Sequence, residues 1–327
     1  MSKHKKQHYI PACYLKAWRD PHTPASQTPY VWVFDKDGSN VRKKAPENIF
    51  YETDLYTIHR ANDSRDLVLE KGLSQLETEF TRIRNSKISY KRPVEESEHV
   101  LLCAFTAAAH ARTPSSREHH RKQWEKPLRK MEKMMEWVKT ATPEQKKRLI
   151  AMYTPFPDSK EHITYEQVKQ MHDNPLQTML FSMIQIVTER LCKLDFAIFV
   201  TNDEIGFLTS DNPCVWFDPE AYKRPPLYRG PGIIYKTIEI TIPLSPFHTL
   251  FFNRQGISGY IDAIPEVVDE LNRRVRFSAE NYFVARQNVR CDYWFELGVE
   301  PDDSWDNQHA RKMKNNKTPK NSINLKP

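Results

Sequence analysis

The sequence predicts an α+β fold: an N-terminal β-hairpin, a helical middle and a largely antiparallel C-terminal sheet packed on the helices. Three observations predict it. Apolar residues recur at helical spacing over about residues 66–193. Short β-branched and aromatic runs bounded by turns follow over about 194–285. Near the start, two extended runs flank a single glycine-containing turn. A block of helices followed by a block of strands argues for α+β rather than an alternating parallel α/β sheet.

Taken in order, Tyr30 to Phe34, the turn Asp35-Lys-Asp-Gly38 and Asn40 to Lys44 read as the hairpin, with Gly38 supplying a positive φ. Another extended piece is expected from Tyr51 to Ile58. Leu69, Leu73, Leu76, Phe80 and Ile83 share one helix face. Pro93 suits the first turn of a helix over Glu95–Arg112. Trp124, Leu128, Met131, Met135 and Val138 form the next apolar stripe, which Pro127 is expected to kink or restart. Capping boxes at Thr142–Gln145 and Thr164–Gln167 open two further helices. Asn174-Pro175 opens a long one with Leu176, Leu180, Met183, Val187 and Leu191 on its apolar face. Strands are expected at 194–201, 206–209, 214–217, 233–242 and 249–253, and a helix at Pro265–Arg276. Lys236 to Ile242 alternates, which predicts one buried and one wet face. Residues 8–300 thus read as one domain, between a basic mobile start (1–7) and a basic disordered tail (302–327).

Charge is distributed unevenly. The 327 residues carry +7, but three lysines precede residue 7 and six basic residues against one acid fall in 306–327, which leaves 7–305 at −1. Within that body, residues 110–150 hold twelve Lys/Arg and five Asp/Glu. Lys122, Lys126, Arg129, Lys130 and Lys133 fall opposite the apolar stripe, as a solvated helix face or as a track for phosphates. Eight glycines, none in a phosphate-loop or dinucleotide pattern, exclude those nucleotide sites. Five scattered cysteines exclude a disulfide framework and a thiolate zinc site. With no signal-peptide pattern and no apolar run of spanning length, a cytoplasmic protein without membrane partners is expected.

Three polar residues resist a surface explanation. His8 sits beside Pro11 and a cluster of aromatics, as a general acid/base or simply as a hydrogen-bonded packing residue. Arg112 projects along the apolar stripe of Leu101, Phe105 and Ala108, where an unpaired guanidinium is costly. It therefore needs a carboxylate, carbonyls at the helix end or an anionic ligand. Asp211, in Thr209-Ser-Asp-Asn-Pro213, sits at a strand end and offers a turn, a metal ligand or a partner for Arg112. Glu77, flanking its helix stripe, is a further partner for Arg112 or a His, while Arg117 and Asn212 stand beside the candidates as binding groups. No His-Glu-x-x-His occurs and His119–His120 diverge on a helix, so a divalent metal remains open without a ligand set.

These residues also carry a resemblance. His8-x-x-Pro11-x-x-Tyr14-Leu15-x-x-Trp18, Arg112-Thr-Pro-x-x-Arg117 and Thr209-Ser-Asp-Asn-Pro213 resemble the motifs of the bacterial domain of unknown function 4238 family. Glu47 to Tyr51, Glu70 to Glu77 and Pro243 to Pro246 add to it, and together the motifs span most of 8–285. Trp18 stands where Phe is frequent in the family, and the basic tail looks like an addition. The resemblance implies a bacterial protein of a family with no assigned activity, some of whose members defend against bacteriophage as single-gene systems. The expectation is an effector acting on nucleic acid or a nucleotide, as a nuclease or other phosphoester hydrolase. In it His8 is the acid/base, Asp211 orients it or holds a metal, and Arg112 and Arg117 clamp phosphate. The alternative is a non-catalytic sensor of a phage protein or nucleic acid that uses Lys122, Lys126 and Lys130.

Overall fold

The computed structural model describes residues 6–60, 64–152, 163–298, 301 and 304–309. The fold is α+β, as expected. The chain opens with β1 (Lys6–His8), a single turn α1 (Ala12–Leu15) and the hairpin β2 (Val31–Asp35) and β3 (Arg42–Lys44), followed by β4 (Tyr51–Thr53), β5 (Ile58–His59) and β6 (Arg65–Asp66). The helical block contains α2 (Val68–Ser86), α3 (Glu96–Ala111), α4 (Pro114–Thr140), α5 (Pro143–Met152), α6 (Tyr165–Asp173) and α7 (Pro175–Leu191). Then come β7 (Asp195–Val200), β8 (Thr209–Ser210), β9 (Val215–Phe217), β10 (Glu239–Ser245), β11 (His248–Asn253), β12 (Gly259–Asp262), α8 (Pro265–Ser278) and β13 (Tyr282–Ala285).

Two sheets organise these elements. One runs β12-β7-β11-β10-β9, antiparallel except for the parallel β12–β7 edge. The other, β3-β2-β13-β8, joins the predicted hairpin to the far end of the domain, with Val33 opposite Val284 and Phe34 stacked on Phe283 at 4.8 Å. Gly38 turns the hairpin at φ +82°, in the left-handed region that favours glycine. The helices pack through Phe80 and Phe105, stacked at 3.7 Å, and through a long α3–α7 contact.

The N-terminal aromatics tie these layers together. Fully buried Tyr14 donates its hydroxyl hydrogen to the Pro243 carbonyl at 2.7 Å, so the Thr209 hydroxyl, also at 2.7 Å, donates to Tyr14. Trp18 Nε1 donates to the Phe207 carbonyl at 2.7 Å. The tyrosine and tryptophan of the first motif are thus anchors from the helical layer to the strands. Next to this anchor, Gly206 has φ +67°, and a Cβ there would stand 2.1 Å from the Pro246 carbonyl oxygen. Gly206→Ala is expected to cost at least about 2 kcal/mol in urea unfolding. A neutral result would show that the 206–207 turn can move away from Pro246.

Several expectations are corrected. α4 runs unbroken through Pro127, so the helix does not restart there: a proline removes a single backbone donor, and the neighbouring turns carry the helix on. Its apolar stripe is core only at Leu128; Met135 is 47% and Val138 37% exposed, since only the neighbouring α6 covers much of this helix. The strand expected over 233–242 begins at Glu239, and its supposed wet face is dry at Thr241, 3% exposed, so both faces of β10 are covered at that point. Residues 304–309, read from sequence as tail, contain buried Ser304 and an Asp306–Arg229 ion pair at 2.5 Å. The basic start before Lys6 and the tail from 310 lie outside the described residues.

Candidate functional site

The site grows from the β1–β4 pair. Their register sets Gln7 opposite Glu52 and His8 opposite Tyr51. Alternation along β1 then sends the two side chains to different faces. Gln7 is fully buried and bonds Thr57 Oγ1 at 3.1 Å. His8 packs edge-on to Tyr51, and its Nε2 lies 3.3 Å from the Glu47 carbonyl oxygen. Burial pushes the imidazole below its ordinary pKa. The Glu47 carbonyl bond and the charge of Glu77 pull upward, and the charge of Arg112 pushes it down. His8 is therefore mostly neutral at pH 7, the form a general base requires.

Arg112 caps α3 at φ −95°, ψ 2°, where the chain leaves the helix and Thr113 starts the next one by accepting the Ser116 N–H. Its side chain is 1% exposed. Nη1 donates to Glu77 Oε1 at 2.6 Å. Burial works against the guanidinium charge, but Glu77 and the Tyr56 phenol hold its pKa above the ordinary value. Glu77 comes from the middle of α2, and its Oε2 accepts a 3.9 Å contact from the Cys13 thiol. Tyr56 is fully buried and donates to the His8 carbonyl at 3.2 Å. Buried Arg84 fixes the Cys13 side of the site by donating to the Cys13 and Tyr14 carbonyls at 3.4 and 3.3 Å. The result is a cluster of His8, Cys13, Glu77 and Arg112. Arg112 and Tyr56 are its buried floor; His8, Cys13 and Glu77 are its half-buried rim. Two nitrogens on the floor, Arg112 Nε and Nη2, have no acceptor among the described residues.

The other sequence candidates Asp211, Asn212 and Arg117 are held by partners of their own. Asp211 is 2% exposed and accepts three backbone N–H groups, from Glu280 and Asn281 at 2.7 Å and Tyr282 at 3.0 Å. Burial raises its carboxyl pKa, with those N–H groups pulling it back down. Among the described residues no hydrogen bond or ion pair joins Asp211 to His8 or Arg112; the carboxylate on Arg112 is Glu77. Asp211 braces the turn between α8 and β13, and Asn212 assists by donating to the Ser278 carbonyl at 3.0 Å. Arg117 grips Glu52 with two bonds, 2.7 and 3.0 Å, at the edge of a polar cavity of about 540 Å³ that Arg121, Asn174 and Gln177 also line. A phosphate clamp at Arg117 has to displace Glu52. Lys122, Lys126 and Lys130 are exposed along α4, and Lys122 has only a loose 3.9 Å contact to Glu118. No group of three or more His, Cys, Asp or Glu able to hold a metal ion occurs among the described residues. No described helix is long and apolar enough to cross a membrane.

Two members of the site, Cys13 and Tyr56, carry little signal in the sequence. Cys13 sits inside the first motif, five residues after His8, and that position was its one signal. Tyr56 has none, because its role depends on the β1–β4 pairing.

No curated protein and no solved structure matches the chain. A family model does, over residues 6–288, which takes in all three motifs and every residue of the cluster. The chain belongs to the family described as protein of unknown function DUF4238.

Proposed function

We propose that this protein is a cytoplasmic bacterial anti-phage effector that engages a phosphate group of nucleic acid or a nucleotide at the His8–Glu77–Arg112 cluster. The observation that carries the chemistry is Arg112. A guanidinium in the interior, paired through one nitrogen and with two others, Nε and Nη2, without acceptors among the described residues, is suited to receive an anion. His8 is the acid/base, and Glu77 takes the orienting role that the sequence assigned to Asp211. The defence role rests on the family resemblance.

The test pairs phage plating with biochemistry. His8→Ala and Arg112→Lys are expected to reduce protection and the cleavage of DNA, RNA or nucleotides by 10²–10⁴-fold, the usual range for lost acid/base catalysis. His8 works as a base when neutral, so activity should rise with pH through a value below 6.5, the ordinary imidazole pKa. Full protection by His8→Ala with an unchanged melting temperature would overturn the catalytic reading.

One observation favours a sensor instead: exposed Trp137 follows the open lysine face of α4. Under that reading, charge reversal at Lys122, Lys126 and Lys130 abolishes protection and His8→Ala does not.

A further inference from the structure

A second cavity, of about 460 Å³, opens where α3 gives way to α4. One wall is His110 from the last turn of α3 with Ser115, Ser116, His119 and His120 from the first turns of α4. The opposing surface is apolar, made of Met183, Ile186 and Val187 of α7. None of its lining residues is Lys, Arg, Asp or Glu.

His110 is the anomaly. Its ring is largely buried, stacks on Trp216 of β9 at 5.0 Å, and makes no hydrogen bond among the described residues. Burial, and then the neighbouring His120 and His119, push it down to about 4. Among the described residues, the titratable groups that act on it are those two imidazoles. The cleft thus holds imidazoles but no carboxylate, ammonium or guanidinium among its lining residues. The helix end adds donors. Pro114 has no N–H and Thr113 Oγ1 takes the Ser116 N–H at 3.2 Å, which leaves the Ser115 N–H without an acceptor among the described residues. A mostly buried imidazole without a hydrogen-bond partner among the described residues, lining the same cleft as the N-terminus of a 27-residue helix, calls for an anion that the imidazole can meet in its protonated form.

We infer that this cleft is a second binding site, for a small phosphomonoester with an apolar or aromatic body. The phosphate lies at the α4 N-terminus among Ser115, Ser116 and the imidazoles, and the body lies against Met183, Ile186 and Val187. The volume is within the range of small-ligand sites. An anion there favours the protonated forms of His110 and His120, so binding takes up protons from the buffer.

Isothermal titration of the full chain at pH 6.5, in two buffers of different ionisation enthalpy, reads both affinity and proton uptake. Adenosine 5′-monophosphate is expected to bind with net proton uptake. Adenosine and inorganic phosphate should each bind at least tenfold more weakly, and His8→Ala, at the other site, should change nothing. His110→Phe should remove the uptake and weaken binding at least tenfold, and His120→Asn, at a more open position, serves if His110→Phe does not fold. Absence of binding at millimolar nucleotide, binding without proton uptake, or adenosine or phosphate binding as tightly as the nucleotide would each overturn the proposal.

Discussion

Glu77→Ala should lower the unfolding free energy by about 3–5 kcal/mol in urea denaturation, the cost of breaking a buried ion pair from one side. The pair is lopsided: Glu77 is 23% exposed and Arg112 1%. Removing the carboxylate leaves a cation in the interior with no described hydrogen-bond acceptor on any guanidinium nitrogen. Glu77→Gln should cost less, because its amide oxygen can still accept from Nη1. The double variant Glu77→Leu with Arg112→Met should recover much of the loss, since apolar replacements of buried pairs are often neutral or stabilising. That double variant is also the sharpest functional control, expected to be folded and inactive. A loss under about 1 kcal/mol for Glu77→Ala would place the contact with ordinary surface pairs such as Arg117–Glu52.

Asp211→Asn is expected to cost about 2–4 kcal/mol, although it changes a single atom type. One carboxylate oxygen serves Glu280, and the other serves both Asn281 and Tyr282. An asparagine amide must turn its NH₂ towards N–H donors on one side, losing one or two bonds to a charged acceptor and facing donor with donor. Amide exchange should rise at residues 280–282, and lost protection should follow lost stability. If Asp211→Asn instead abolishes protection with no change in melting, the carboxylate acts in chemistry, as its position at a strand end first suggested.

The order and type of the main elements were legible because they follow periodicity and capping, both local properties. The Thr164–Gln167 box and the Asn174-Pro175 start are found where expected. β12 and β13 were not, because each is placed by pairing with a strand distant in sequence, β7 or β2, which no local pattern encodes. The same distinction governs the site. An arginine on an apolar stripe signals an unmet need for a partner, and Arg112 has one. Which carboxylate meets that need depends on how α2 packs on α3, which no spacing encodes. Asp211 looked available because a sequence shows a carboxylate but not the three N–H groups that converge on it from seventy residues downstream.

The β2–β13 pairing has a consequence for how the chain is made. Val33 waits for Val284, so the hairpin leaves the ribosome about 250 residues before its partner strand. At usual synthesis rates of 5–20 residues per second that is roughly 10–50 s with an open edge rich in Val, Trp and Phe. During this interval the nascent N-terminus is exposed to wrong partners, and the long separation also slows closure after release. The sheet that holds the hairpin closes only after β13 has been made.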